Sequence, residues 1–403
     1  MTASSKWLRR ALLGGVALGV AATGAQADEL SALKAQLEAL QSRVNQIETT
    51  GPAPALPEGA SWITYNRGSQ GSRLNEFARP QEYIPEENGF TIAITPTADM
   101  PAPVHEVTVP GYVKGDLIFD TRRNLGDAFG ISGVGSDTRG DREHVRLHAR
   151  QSRFRIRSCS DTAVGQVRTL IVGDFFGAGG DQLFTISTSF WLRHAWGEWD
   201  VTPNTTIGIG QTWTNFGNLF AAPDTVDFSG PVGMGLNNRN PQIRVTYTSG
   251  PMMFAVAVEN PESDFAFDPA FGGPTAGAFA ACAESITNLC EANDNIPDFT
   301  ARLQYEAPGG HLFQVSGVLR NLRVDGDVAA AAVTGSDSQL GWGIQGDASI
   351  NLADIATATL AVTYGEGIGR YVVGGAFAPV LGSAANPNIR AVETLGLVGA
   401  LSF

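Results

Sequence analysis

Arg142, His144, Arg146, His148 and Arg150 fall at every second position, and Arg153, Arg155 and Arg157 follow at the same interval. Side chains on an extended strand alternate between two faces, so each set projects to one side. The phase changes near Gln151-Ser152, and a bulge or bend there aligns both sets on one wall. The complementary positions Val145, Leu147, Ala149, Phe154 and Ile156 are apolar or small. A ladder of guanidinium groups attracts and holds anions, and the planar fork suits bidentate contact with carboxylates. Arginine outnumbers lysine 24 to 3 in the whole chain, so the fork is the preferred cation here. The plainer reading is that nearby acids neutralise each charge.

Alternation adds Lys114, Arg244 between Ile243 and Val245, and Arg302 to the same class, while Arg168 and Arg193 have an ambiguous phase. The stretch from Thr212 to Gly233 is too long for a tight turn and partly too apolar for open solvent, which suggests a loop folded inward. Its Asp224 and Asp227 would then face the arginines and set up a transverse field at a constriction; an ordinary surface loop is the plainer alternative. His144 and His148 stand about 13 Å apart on a strand, too far to share a metal ion. No Cys-x-x-Cys pair, phosphate-cradling glycine motif or nucleophile elbow occurs. Ser152 or Ser189 near His148 or His194 has no local motif behind it. No catalysis, cofactor or metal is expected.

The elements that must carry these residues are strands. Val107, Val109, Gly111, Val113, Gly115, Leu117 and Phe119 alternate with mostly polar residues; the segments around Phe299–Glu306 and Leu340–Ser349 do the same. Segments of about ten residues, apolar on one side and polar on the other, are the signature of a transmembrane barrel. A soluble sandwich or solenoid shares the periodicity. In a spanning strand the arginines must point inward, because each would cost about 2–4 kcal/mol on the lipid side at the bilayer midplane. The last segment alternates Leu395, Leu397, Gly399, Leu401 and Phe403 against small residues and ends on that aromatic, as outer-membrane barrels commonly do. The fold class expected is an all-β transmembrane antiparallel barrel.

The chain ends bear on the compartment. Lys6, Arg9 and Arg10 precede an apolar run from Ala11 to Ala22 and an Ala25-Gln26-Ala27 cleavage site, so residues 1–27 read as a signal peptide. Removing them leaves 27 − 3 = 24 basic against 40 acidic residues, which argues against a nucleic-acid partner. Within 28–50, Leu30, Leu33, Leu37, Leu40, Val44 and Ile47 form a heptad seam that needs partner helices. A single amphipathic helix is the plainer alternative, and the seam does not set the number of strands in a coil. Residues 51–106 are rich in proline and read as a linker, with Trp62–Tyr65 and Phe90–Ile94 as short strands or docking points; the barrel is expected over 107–403. In an oxidising compartment Cys282 and Cys290 can close a short loop, leaving Cys159 free.

These segments resemble the DcaP-like outer-membrane porins. The matching runs are Arg150-Gln151-Ser152-Arg153-Phe154, Gly173-Asp174-Phe175-Phe176-Gly177, Leu192-Arg193-His194-Ala195-Trp196-Gly197-Glu198, Gly210-Gln211-Thr212-Trp213, Pro223-Asp224-Thr225-Val226-Asp227-Phe228, Gln242-Ile243-Arg244 and Glu259-Asn260-Pro261-Glu262-Ser263. The resemblance covers residues 108–265 by motif and the rest by pattern. It implies a barrel of 16 strands, a homotrimer with an N-terminal coiled coil in the Gram-negative outer membrane, and passage of small anionic, dicarboxylate-type solutes. The long proline-rich stretch and the cysteine-bearing loop from Pro261 to Pro297 depart from the family pattern. The competing reading is a structural barrel with a blocked lumen that tethers the membrane to a partner, and a barrel enzyme is a third.

Overall fold

The computed structural model describes residues 62–67, 89–95, 104–122, 126–127, 143–177, 189–219, 221–223, 225, 230–236, 238–262, 266–267, 294–324, 336–353, 355–374, 379–381 and 388–403. The signal peptide, the heptad segment, Asp224, Asp227, Cys282 and Cys290 lie outside these residues.

The chain begins with β1 (Trp62–Arg67), β2 (Gly89–Thr95), β3 (His105–Tyr112), β4 (Asp116–Asp120), β5 (His144–His148) and β6 (Arg153–Thr162). Next come β7 (Gly165–Gly177), β8 (Ser189–Thr202), β9 (Thr205–Trp213), β10 (Arg239–Ser249), β11 (Met252–Glu259) and the short β12 (Ala266–Phe267). The remainder is β13 (Asp298–Ala307), β14 (His311–Val324), β15 (Asp337–Leu352), β16 (Ala356–Glu366), the short β17 (Pro379–Leu381) and β18 (Arg390–Ala391), and β19 (Glu393–Ser402). Fourteen strands form one sheet in the order β1-β2-β3-β6-β7-β8-β9-β10-β11-β13-β14-β15-β16-β19. Neighbouring strands in it are antiparallel throughout, so chain order and spatial order coincide apart from the short pieces set aside.

These fourteen are the sheet strands among the described residues, beside the 16 implied by the resemblance. Two of the fourteen, β1 and β2, lie inside the stretch 51–106 whose composition reads as a linker. The prolines there flank the strands, which keep their own alternation of Trp, Ile, Phe and Thr and so pair normally. β4 and β5 form a separate pair that carries the β3–β6 hairpin onward beyond an interruption at residues 113–115 and 149–152.

The two faces of the sheet invert the pattern of a soluble protein. In β13 Phe299 and Leu303 are exposed while Thr300, Arg302 and Gln304 are buried; in β14 Val315 and Leu319 are exposed while Gln314, Ser316 and Arg320 are buried. β10 repeats this, with Ile243 and Val245 outside and Gln242 and Arg244 inside. A continuous exposed face of large apolar side chains is unfavourable in water and favourable against hydrocarbon.

The connections are equally one-sided. β6–β7, β8–β9, β10–β11, β13–β14 and β15–β16 are joined by tight turns at residues 163–164, 203–204, 250–251, 308–310 and 353–355. Gly309 and Gly310 take φ of 92° and 78° in one of them, a backbone region that costs glycine nothing. The long connections 121–143, 178–188, 214–238, 260–297, 325–336 and 367–392 all leave from the other end of the sheet. Short turns at one rim and long loops at the other are the asymmetry of outer-membrane barrels. β19 runs toward the short-turn rim, so Phe403 stands there, almost wholly exposed.

Candidate functional site

The polar face of β6–β8 gathers the arginine ladder. Arg153, Arg155 and Arg157 are buried while Phe154 and Ile156 between them are exposed. Upstream, in β5, Val145 and Leu147 are exposed and His148 is buried, so the even-numbered residues take the buried side before the interruption and the odd-numbered ones after it. A turn makes the change of phase: Ser152 N donates to Ala149 O at 3.0 Å, and Phe175 N of β7 reaches Arg150 O at 3.0 Å. Ser152 Oγ also accepts from Lys114 N at 3.1 Å, tying the two interruptions together.

A second irregularity adds an arginine. Val172 pairs with His194 but Gly173 pairs with Leu192, so Arg193 is an extra residue on β8. Such a bulge re-aims a side chain, and Arg193 and His194 are both buried although adjacent. Arg193 Nη1 then lies 3.0 Å from Asp174 Oδ2, and Arg153 Nη2 lies 3.3 Å from the same oxygen. The other oxygen, Oδ1, accepts from Phe176 N at 3.2 Å. Two guanidinium groups therefore share one fully buried carboxylate.

A shared acid recurs beside the β4–β5 extension. Arg146 Nη1 pairs with Asp127 Oδ1 and Arg150 Nη1 with Asp127 Oδ2, so the acid comes from the loop between the two strands. Lys114 contacts Asp116 at 3.0 Å and Gln151, and its side chain is half-buried. Arg244 donates to Gln242 Oε1 at 3.0 Å and Trp213 O at 2.7 Å, with its guanidinium 5.3 Å from the Trp196 ring. Arg302 is buried and meets Met253 Sδ at 3.6 Å. Arg168 forks onto Asp200 at 2.5 and 2.6 Å and also meets Glu198 at 3.3 Å, so that arginine is outnumbered by acids. The predicted arginines thus share the polar side, but Arg146, Arg150, Arg153 and Arg193 each have an acid partner.

The rest of the polar face carries groups that sequence reading did not single out. Glu259, fully buried, accepts on Oε1 from Thr214 Oγ1 at 3.0 Å, Asn215 N at 2.8 Å and Thr300 Oγ1 at 2.9 Å, and on Oε2 from Asn240 Nδ2 at 3.1 Å. Asp298 pairs with Arg320 Nε at 2.9 Å and accepts from Tyr371 Oη at 2.7 Å. Burial pushes the Tyr371 hydroxyl well above the ordinary tyrosine value, helped by the charges of Glu259 and Asp298, so it stays a donor. Asp347 accepts from Asn218 and from Gln345 Nε2, the latter at 3.1 Å.

Glu259 and Asp347 hold the connection 214–238 against the wall. Gly235 N donates to Gln345 Oε1 at 2.6 Å and Ser316 Oγ to Phe216 O at 2.5 Å, so the loop reaches from β9 across to β14 and β15. Leu219, Ala221, Ala222, Met234 and Leu236 pack there with Ala361 and Val373. Gly396 of β19 approaches Gly233 so closely that a Cβ would meet its carbonyl oxygen at 1.8 Å, which explains glycine at both positions. The inward fold expected for Thr212–Gly233 is present in its described residues. The signals that could have located the other groups were the buried-side positions of Arg320, with Gln314 and Ser316, and of Asp347, with Gln345.

An inward polar face, an outward apolar face and loops packed on the polar side define the fold of an outer-membrane channel. The crystal structure of the outer membrane channel DcaP of Acinetobacter baumannii matches with a TM-score of 0.58 and 21% identity, over 74% of this chain and 73% of that one. OmpT of Vibrio cholerae in its trimer form (TM-score 0.28, 11% identity, 74% and 99% covered) and the anion-selective porin from Comamonas acidovorans (0.23, 13%, 74% and 99%) overlay too loosely to define a fold. No family model and no curated protein matches the chain.

Proposed function

We propose that the chain is a porin of the Gram-negative outer membrane, a homotrimer whose barrels pass small anionic solutes down their own gradients without catalysis. The carrying observation is the arginine wall of β5–β8, where Arg153, Arg155, Arg157 and Arg193 are buried on the polar face, Arg153 and Arg193 meet on Asp174, and Arg146 and Arg150 meet on Asp127. A wall dense in guanidinium groups attracts anions. Successive rungs of the ladder stand about 7 Å apart along a strand, a spacing that suits two carboxylates of one short diacid. The fold shared with the DcaP channel supports the same reading. Residues 1–27 as an export signal, 28–50 as a trimeric coil and Asp224 and Asp227 as a constriction complete the scheme.

One observation favours the second reading, a barrel that tethers and does not conduct: Arg155, Arg157 and His194 are at most 2% exposed, as in a filled interior. Single-channel recording of the purified protein in a planar bilayer, with reversal potential under a salt gradient, separates the two. Triplet openings with anion preference are expected. Replacing Arg153, Arg155 and Arg157 together by Gln should lower that preference, and an unchanged reversal potential would sink the role of the wall. A silent bilayer would favour the tether.

A further inference from the structure

We propose that the aperture is set by two loops acting as a single brace, with Arg320 as the residue that positions it; this rests on the porin reading. The first loop is 214–238, already described. The second is the segment 367–374, which leaves β16 and turns inward through a 3-10 turn at Gly369–Tyr371.

The loops grip one another through the backbone. Gly233 N donates to Val373 O at 2.8 Å, and Val373 N donates to Met234 O at 2.9 Å. Their side chains share a core, in which Phe216 of the first loop packs with Ile368, Tyr371 and Val372 of the second and with Val318 of β14. The rings of Phe216 and Tyr371 meet edge to face at 5.7 Å. Neither loop therefore moves without breaking contacts with the other.

Arg320 fastens this unit to the wall. Its Nε meets Asp298 Oδ2 at 2.9 Å, Nη1 donates to Gly367 O at 2.9 Å, and Nη2 donates to Glu262 O at 2.6 Å. The guanidinium also lies 5.3 Å from the Tyr371 ring, and the Tyr371 hydroxyl closes the circuit on Asp298. A planar fork makes these directed bonds together, whereas a lysine ammonium cannot span them. Arg320 is thus a positioning residue, acting on the passage through the second loop and then the first.

The test uses Arg320→Lys and Val373→Pro in the full-length protein. Proline at 373 deletes the donor to Met234 O, and Val372, at φ −100° and ψ 126°, already has the extended backbone that a following proline requires. Each is recorded in a planar bilayer for conductance, for the largest polyethylene glycol that enters, and for ion preference, with heat-modifiable gel mobility reporting the folded barrel. Both variants are expected to raise conductance on the order of twofold and admit larger glycols, with ion preference unchanged. A folded variant with the parent's conductance and size limit overturns the brace while leaving the porin reading intact. Should Arg320→Lys fail to fold, Val373→Pro decides the matter alone. A parent protein that forms no channels overturns both.

Discussion

The two halves of the polar face use charge in opposite ways. Along β5–β8 acids are shared between arginines, and Asp174 and Asp127 each hold two guanidinium groups. Along β11–β15 the acids Glu259 and Asp347 receive neutral donors, half from the loop 214–238 and half from the strands. Asp298 takes an arginine as well. Acids thus serve as shared counter-charges in one half and as acceptors for neutral donors of loop and wall in the other.

The strongest way to break this contrast is Asp174→Asn. Removing one partner of a buried ion cluster costs about 3–5 kcal/mol of folding stability, while two arginines lose their neutralising charge. A lower urea midpoint with a higher anion preference is expected; a reversal potential that does not move would mean that permeating ions do not sense this wall. Next in size is Glu259→Ala in the other half, which leaves the donors of Thr214, Asn215, Thr300 and Asn240 without their acceptor, each at about 1–3 kcal/mol where water cannot replace it. Here noisier openings with unaltered ion preference are expected, and a change in selectivity without added noise would contradict the division of roles. The smallest effect is that of salt. Anion preference should decline between about 0.1 M and about 1 M, as the screening length shrinks from about 10 Å to about 3 Å; a preference independent of salt would point to size and not to charge.

Much of the fold was legible because a strand's periodicity is local. The alternation in Phe299–Glu306 and Leu340–Ser349 already separates the exposed side chains from the buried ones. The loop 214–238 betrayed itself by length and apolar content, whereas 367–374 did not, being short and followed by a further stretch of ordinary loop composition. β1 and β2 fall on Trp62–Tyr65 and Phe90–Ile94, the two patches that the sequence marks as short strands or docking points, but the prolines around them hide their place in the large sheet. Arg193 could not be placed by counting, since a bulge resets the count by one residue without any local sign.

The sequence by itself therefore determined most strands, their faces and the presence of a cationic ladder, all of which depend on neighbours a few residues apart. Only the tertiary structure decided which arginine shares which acid, and how two loops lock across the sheet. Asn218 and Asp347 are 129 positions apart and Gly235 and Gln345 110 apart. Such partners are chosen by sheet order and register, which no local pattern encodes.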